Sequence, residues 1–260
     1  MQRLIALEGG RNFRDLGGYA AADGRRTRWG RVFRSGVMSY LTDRDHLQLR
    51  PLQIRTVCDF RSPREREREP IRWGSEPVDV LHWDYDPREV SLRAFVTGRE
   101  ISAEVSRSTM TALYRKIPML FATQYRALLD RLSGGELPLV FNCAAGKDRT
   151  GVAAALLLRT LGVSADDVLA DYVLTDAAVD LERELFARAT GSVALGDDHS
   201  YLHQVSPEAR RPLLRALPEY LDAAFRQIED DHGSVPDYIR RVLGVDDVKL
   251  ERLHTRLLES

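Results

Sequence analysis

The stretch that most limits what this chain can fold into is Asn142-Cys143-Ala144-Ala145-Gly146-Lys147-Asp148-Arg149-Thr150-Gly151. It lies between an apolar run, Leu139-Val140-Phe141, and an alanine- and leucine-rich segment over 152–161 whose composition predicts a helix. Strand, tight loop and helix in that order put Cys143 where a loop meets a helix N-terminus, among backbone N–H groups with no intrahelical partner. Such groups favour negative charge, so a thiolate and an oxyanion are both stabilised there. Five residues separate Cys143 from Arg149, enough for the loop to curl around a tetrahedral dianion while the guanidinium grips two of its oxygens. Gly146 permits the inward turn, and Ala144, Ala145, Gly146, Lys147 and Thr150 complete the phosphate-binding set. The chemistry implied is phosphomonoester cleavage by a cysteine nucleophile.

That chemistry needs a thiolate, a cradle for the phosphoryl group and an acid for the leaving oxygen. A free thiol has a pKa near ~8.5, and a helix terminus beside cations lowers it to roughly 3.5–7.5, so Cys143 is expected to ionise near neutral pH. Thr150 is placed to donate its hydroxyl to the thiolate. A carboxyl next to a dianion is held in its protonated form, which makes Asp148 the candidate general acid. Asp59, Asp84 and Asp86, each at the end of a predicted strand, are rivals, and a purely structural Asp148 that bonds loop N–H groups is a further reading. A nucleotide-binding loop is excluded, because Phe141 and Asp148 stand where glycine and Ser or Thr are required.

The remaining 250 residues frame this loop. Glycine pairs bracket Asn12 and Asp15, which suit a clamp on backbone groups, with Arg14 able to reach a ligand. Strands are expected over 29–35, 54–60 and 78–83, and Thr42-Asp43-Arg44-Asp45 begins a helix. Asp59 and Arg61 then lie beyond the carboxyl end of a strand, where open α/β sheets gather ligands. The charges over 64–69 read as a solvated helical turn. A polar segment over 88–119, with a turn at Thr97-Gly98, and another over 176–215 read as lid insertions or surface decoration. Helical spacing over 121–132, and again through most of the chain after 151, makes the C-terminal half helical, with 191–200 as a loop. The expected fold is one α/β domain over 1–260, with a mostly parallel sheet of about four to five strands flanked by helices.

The net charge of −1 gives no basis for nucleic-acid binding through bulk electrostatics. Two cysteines, Cys58 and Cys143, cannot build a disulfide framework or, alone, a four-ligand zinc site, which suits a reducing compartment, and no cofactor is expected. No stretch approaches 18 apolar residues and no signal peptide is evident, so a cytoplasmic protein without membrane insertion is expected. Oligomeric state is not legible. Cys58 reads as a small core residue or as a thiol that traps oxidised Cys143.

The loop resembles the signature of the bacterial protein tyrosine, dual-specificity and lipid phosphatases that carry Cys-x-x-Gly-Lys-Asp-Arg-Thr-Gly. The segments 12–18, Arg34-Ser35, 59–62, Tyr114-Arg115 and 171–175 resemble that family's recurrent segments in the same order. The resemblance implies a phosphocysteine intermediate, no metal, and phosphotyrosine substrates with phosphoserine, phosphothreonine or phosphoinositide activity. It maps the nucleophile onto Cys143, the phosphate-binding arginine onto Arg149 and the acid onto Asp148. The chain departs from the family at Asn142, where histidine is usual and helps to hold the thiolate. Asparagine offers N–H donors without charge, so a weakly active or inactive phosphate-binding module is the alternative.

Overall fold

The computed structural model describes residues 2–74, 77–86, 101–184, 202 and 205–260. Strands β1 (Arg14–Asp15), β3 (Val32–Ser35), β4 (Thr56–Asp59), β5 (Asp79–His82) and β6 (Leu139–Asn142) form one sheet in the order β1-β3-β6-β4-β5. All its pairings are parallel except β1 with β3. A second, two-stranded sheet pairs β2 (Arg26–Thr27) with β7 (Leu258–Glu259), so the helical C-terminal half ends on a short strand that helical spacing does not announce.

β6 is central and buried along its whole length, as its unbroken apolar run requires of a strand covered on both faces. Side chains alternate across the sheet. Cys58, Leu139 and Phe141 enter the large core on one side, and Phe33, Val57 and Val140 enter a smaller one on the other. β5 is an exposed edge, with Leu81 and the following Trp83 packed against the large core.

Eleven labelled helices cover the described chain. α1 (Asp43–Leu49) opens on a Thr42 capping box, and α2 (Pro63–Arg68) on a second one built from Ser62 and Glu65. α3 (Ala103–Leu120) buries Ser106, Thr109, Met110, Leu113, Tyr114 and Ile117, a stripe at alternating spacings of three and one. This half of the 88–119 insertion is therefore packed structure, set against the helices after residue 207; its turn at Thr97-Gly98 lies outside the described residues. α4 (Ala122–Gly134) stops at Gly135, whose positive φ of 88° ends the helix.

α5 (Asp148–Thr160) starts four residues before the alanine-rich run, because the turn at Gly146 already delivers the chain into helical geometry. α6 (Ala165–Val173) follows with Ser164 as its cap, then α7 (Thr175–Ala178). α8 (Pro207–Leu214), α9 (Pro218–His232), α10 (Val235–Arg241) and α11 (Asp247–Leu257) complete the chain. The loop expected over 191–200 lies outside the described residues, as do 185–201, 203 and 204 of the second insertion.

One buried charge cluster ties the sheet edge to the helices. Asp171 on α6 accepts from Arg14 Nε at 3.1 Å, Arg34 Nη1 at 2.5 Å and the Tyr19 hydroxyl at 3.0 Å, and both arginines are fully buried. Burial alone would raise the Asp171 pKa, yet the two guanidiniums hold it well below the ordinary carboxylate range. A folded pKa below the unfolded one means the stabilisation is complete above about pH 4 and is lost as pH falls toward the folded value. Asp171→Asn strands two buried cations, so urea denaturation at neutral pH is expected to show a loss of about 3–5 kcal/mol. The variant should also lose part of the wild type's decline in stability below about pH 4.

Candidate active site

The parallel register aligns Ser35, Asn142, Asp59 and His82 in one row at the carboxyl edge of the sheet. The chain leaves β6 there into the loop carrying Cys143, which is buried with 2% of its surface exposed. Three consecutive loop carbonyls are bound from outside. Ala144 O accepts from Val37 N at 2.9 Å. Ala145 O and Gly146 O accept from the Asn12 amide at 3.3 and 2.9 Å, and Arg34 Nη2 also reaches Gly146 O at 2.7 Å. A trans peptide points its N–H opposite its C=O, so binding these carbonyls outward turns the N–H groups of Ala145, Gly146 and Lys147 inward. Gly146 has φ +67°, and a Cβ there would lie 2.7 Å from both Ser35 O and Gly36 N. α5 then begins with no side-chain cap, which leaves its first-turn N–H groups for an anion.

Arg149, in the first turn of α5, is fixed before any ligand arrives. Its Nη1 and Nη2 donate to the two oxygens of Glu65 at 2.8 and 2.7 Å, and Nη1 also reaches Tyr85 and Phe60 O at 2.7 and 3.1 Å. Glu65 further accepts from Ser62 N at 2.7 Å as the returning arm of the α2 capping box. Burial pushes Glu65 up, but Arg149 and the Ser62 N–H outweigh it and the carboxyl falls to about 2. Glu65 belongs to the run read from sequence as a solvated turn. That reading holds for its exposed neighbours and fails for Glu65; the signal available was Ser-Pro-x-Glu, a capping pattern that fixes this carboxylate at a helix start.

Asp148 is the first residue of α5 and keeps 26% of its side chain exposed. Its Oδ1 accepts from the Tyr114 hydroxyl at 2.8 Å and lies 3.0 Å from Lys147 Nζ. Lys147 is buried, and its ammonium donates to the carbonyls of Leu213 and Arg215 at 3.0 and 3.2 Å. Its backbone N–H serves the cradle, while its charge joins the loop to the end of α8. Among the rival acids, Asp59 is fully buried in a two-pronged pair with Arg61, with contacts of 2.7–3.1 Å, and Asp84 is exposed and paired with Arg66. Asp59 and Arg61 stand at the expected strand end, but they bind each other.

Three further expectations change. Asn142 Nδ2 donates to Asp59 Oδ1 at 3.3 Å, on the sheet face opposite Cys143, because consecutive strand residues point to opposite faces. Arg14 has no access to a ligand, since Asp171, Thr175 and the Asn12 side-chain oxygen take its donors; Asn12 and Asp15 do act as backbone clamps. Cys58 is buried and its thiol is pushed up to about 12 by desolvation, which makes it an inert core residue. It faces Phe141 in register, two positions short of Cys143, a Cα separation of roughly 8 Å from strand geometry and beyond disulfide reach. The Thr150 hydroxyl is buried with no hydrogen-bond partner among the described residues. Those residues also hold no cluster of three His, Cys, Asp or Glu side chains able to bind a metal, and no helix among them is long and apolar enough to cross a membrane.

A cysteine in an N–H-lined loop, an arginine locked over it and a helix rising from its far end define a cysteine-dependent phosphatase. The chain belongs to the tyrosine phosphatase family, whose profile matches residues 5–259. It is 36% identical over 244 residues to a Cupriavidus necator protein provisionally named a tyrosine-protein phosphatase, covering 92% of this chain and 84% of that one. It is also 31% identical over 280 residues to the triple specificity protein phosphatase PtpB of Mycobacterium tuberculosis, covering 97% and 98%. The crystal structure of Pseudomonas aeruginosa TpbA shares 18% identity over 66% of this chain and 97% of its own, with a TM-score of 0.31, too loose a superposition to bear on either fold or function.

Glu65→Gln removes the charge that fixes Arg149 and leaves the helix cap nearly intact. We expect kcat/KM for an aryl phosphate to fall by about 10- to 100-fold with little change in melting temperature. Because the wild-type carboxyl titrates at about 2, the pair itself contributes no pH dependence between pH 5 and 8.

Proposed function

We propose that this protein hydrolyses phosphomonoesters through a phosphocysteine intermediate. The observation that carries the reading is the loop whose three carbonyls are bound from outside, which by trans-peptide geometry turns the following N–H groups the other way, next to an Arg149 fixed by Glu65. The Cys143 thiolate attacks phosphorus as the ester oxygen leaves, taking a proton from Asp148. Water then attacks the phosphocysteine, returns a proton to Asp148 and releases the thiolate, with the unpartnered Thr150 hydroxyl available to stabilise it. Charge on the equatorial oxygens is met by the loop N–H groups and by the outer edge of Arg149.

Phosphotyrosine proteins are the primary proposed substrates. The relative named a triple specificity phosphatase, aligned over 97% of this chain, supports activity on further phosphorylated classes, phosphoserine, phosphothreonine and phosphoinositides among them. The two free cysteines suit a reducing compartment, and a cytoplasmic location is part of the proposal. The alternative of a binding module without turnover rests on Asn142. Its amide bonds Asp59, so the missing histidine removes nothing from the Arg149 clamp or the N–H cradle.

Hydrolysis of p-nitrophenyl phosphate tests the reading. Cys143→Ser should lower kcat by at least about 10⁴-fold while inorganic phosphate still binds. Acid quench of the wild type with labelled substrate should trap label on Cys143. Turnover that survives Cys143→Ser would overturn the proposal. Rates on phosphopeptides and on phosphoinositides, measured side by side, rank the substrate classes.

A further inference from the structure

Two buried tyrosines stand behind Asp148 and have no part in the cradle. Tyr114 on α3 and Tyr172 on α6 are both fully buried. Their hydroxyls are 2.6 Å apart, their rings meet edge to face, and the Tyr114 hydroxyl reaches Asp148 Oδ1 at 2.8 Å. Tyr172 lies so close to α5 that a Cβ on Gly151 would come within 3.0 Å of its ring, so glycine there is what admits it.

Counting protons fixes the direction of this chain. Each phenol has one proton to give. Tyr114 gives its proton to Asp148, so in the 2.6 Å contact Tyr172 must be the donor and Tyr114 the acceptor. Both phenols titrate well above their ordinary value, first through burial and then through the neighbouring Asp148 charge, so both keep their protons at working pH. Lys147 Nζ, at 3.0 Å, presses on the same Oδ1. A proton on Oδ1 would leave the buried Tyr114 O–H without an acceptor and would face an ammonium. Oδ2 has no hydrogen bond among the described residues, and the side chain is partly exposed.

Resting on the reading of Asp148 as the general acid, we infer that Tyr114, backed by Tyr172, is a positioning residue that confines the transferable proton to Asp148 Oδ2 and aims it at the leaving oxygen. The step balances: as the Cys143 S–P bond forms and the P–O bond breaks, the Oδ2 proton passes to the departing oxygen and Asp148 becomes a carboxylate. The carboxylate is received by the Tyr114 O–H and the Lys147 ammonium on Oδ1. It is reprotonated when water cleaves the P–S bond.

The test exploits leaving groups. Phenyl phosphate expels a strongly basic phenolate that needs the proton, whereas 2,4-dinitrophenyl phosphate expels a weak base that does not. Tyr114→Phe should lower kcat for phenyl phosphate by about tenfold and for the dinitrophenyl ester by less than about twofold. Losing a donor to the carboxylate should also move the alkaline limb of the phenyl phosphate profile to higher pH. In an Asp148→Asn background Tyr114→Phe should add nothing. Tyr172→Phe, which keeps Tyr114 in place, should give a smaller change in the same direction, and thermal melts identify any variant that fails to fold. Equal losses on both esters, or a further loss in the Asp148→Asn background, would overturn the inference while leaving the acid role intact. If Asp148→Asn itself fails to discriminate between the esters, the acid assignment falls and this inference falls with it.

Discussion

A single carboxylate, Asp171, stands behind the conformation of the phosphate loop. It pairs with both Arg14 and Arg34, and each guanidinium then acts on the loop, Arg34 by donating to Gly146 O and Arg14 through the Asn12 side chain that holds Ala145 O and Gly146 O. The cradle is formed because its carbonyls are occupied from behind. Burying three charges is costly, and well-packed apolar side chains often stabilise a protein as much. What the cluster contributes here is placement: it joins β1, β3, α6 and the loop through contacts that apolar groups cannot make.

Much of this arrangement was legible from the chain because it follows local rules. The unbroken apolar run of β6 announces a strand covered on both faces, and the capping sequence at Thr42 coincides with a helix start. The loop follows from residue types at fixed spacing. What local rules do not carry is the partner of a charge. The capping pattern Ser-Pro-x-Glu marks Glu65 as a helix-start carboxylate, but that its partner is Arg149, 84 positions away, appears only once α5 is in place. Lys147 reads as a phosphate ligand until the end of α8 is found against it. Asn142 was open to better reading, since strand parity alone turns it away from Cys143.

The two charged ends of the site are supported differently. Arg149 is held by a carboxylate of fixed charge, so its position is insensitive to pH over the neutral range. Asp148 is held at one oxygen, Oδ1, by the neutral Tyr114 hydroxyl and by the Lys147 ammonium. In the proposed mechanism an anion clamp and a proton donor make opposite demands on their surroundings, and the two residues assigned to them have different partners within one helical turn.

That shared turn has a kinetic consequence. When an acid rides on a loop that must close over substrate, turnover inherits the rate of closure and becomes sensitive to solvent friction. Here Asp148 and Arg149 are the first two residues of α5, a deeply buried helix, and Cys143 directly follows the central strand that feeds it. On the proposed reading, nucleophile, clamp and acid all sit on one continuous strand, loop and helix segment. On that reading the acid rides on no separate loop of the described residues, and added viscogen is expected to slow the arrival of substrate and the departure of product more than the chemical step.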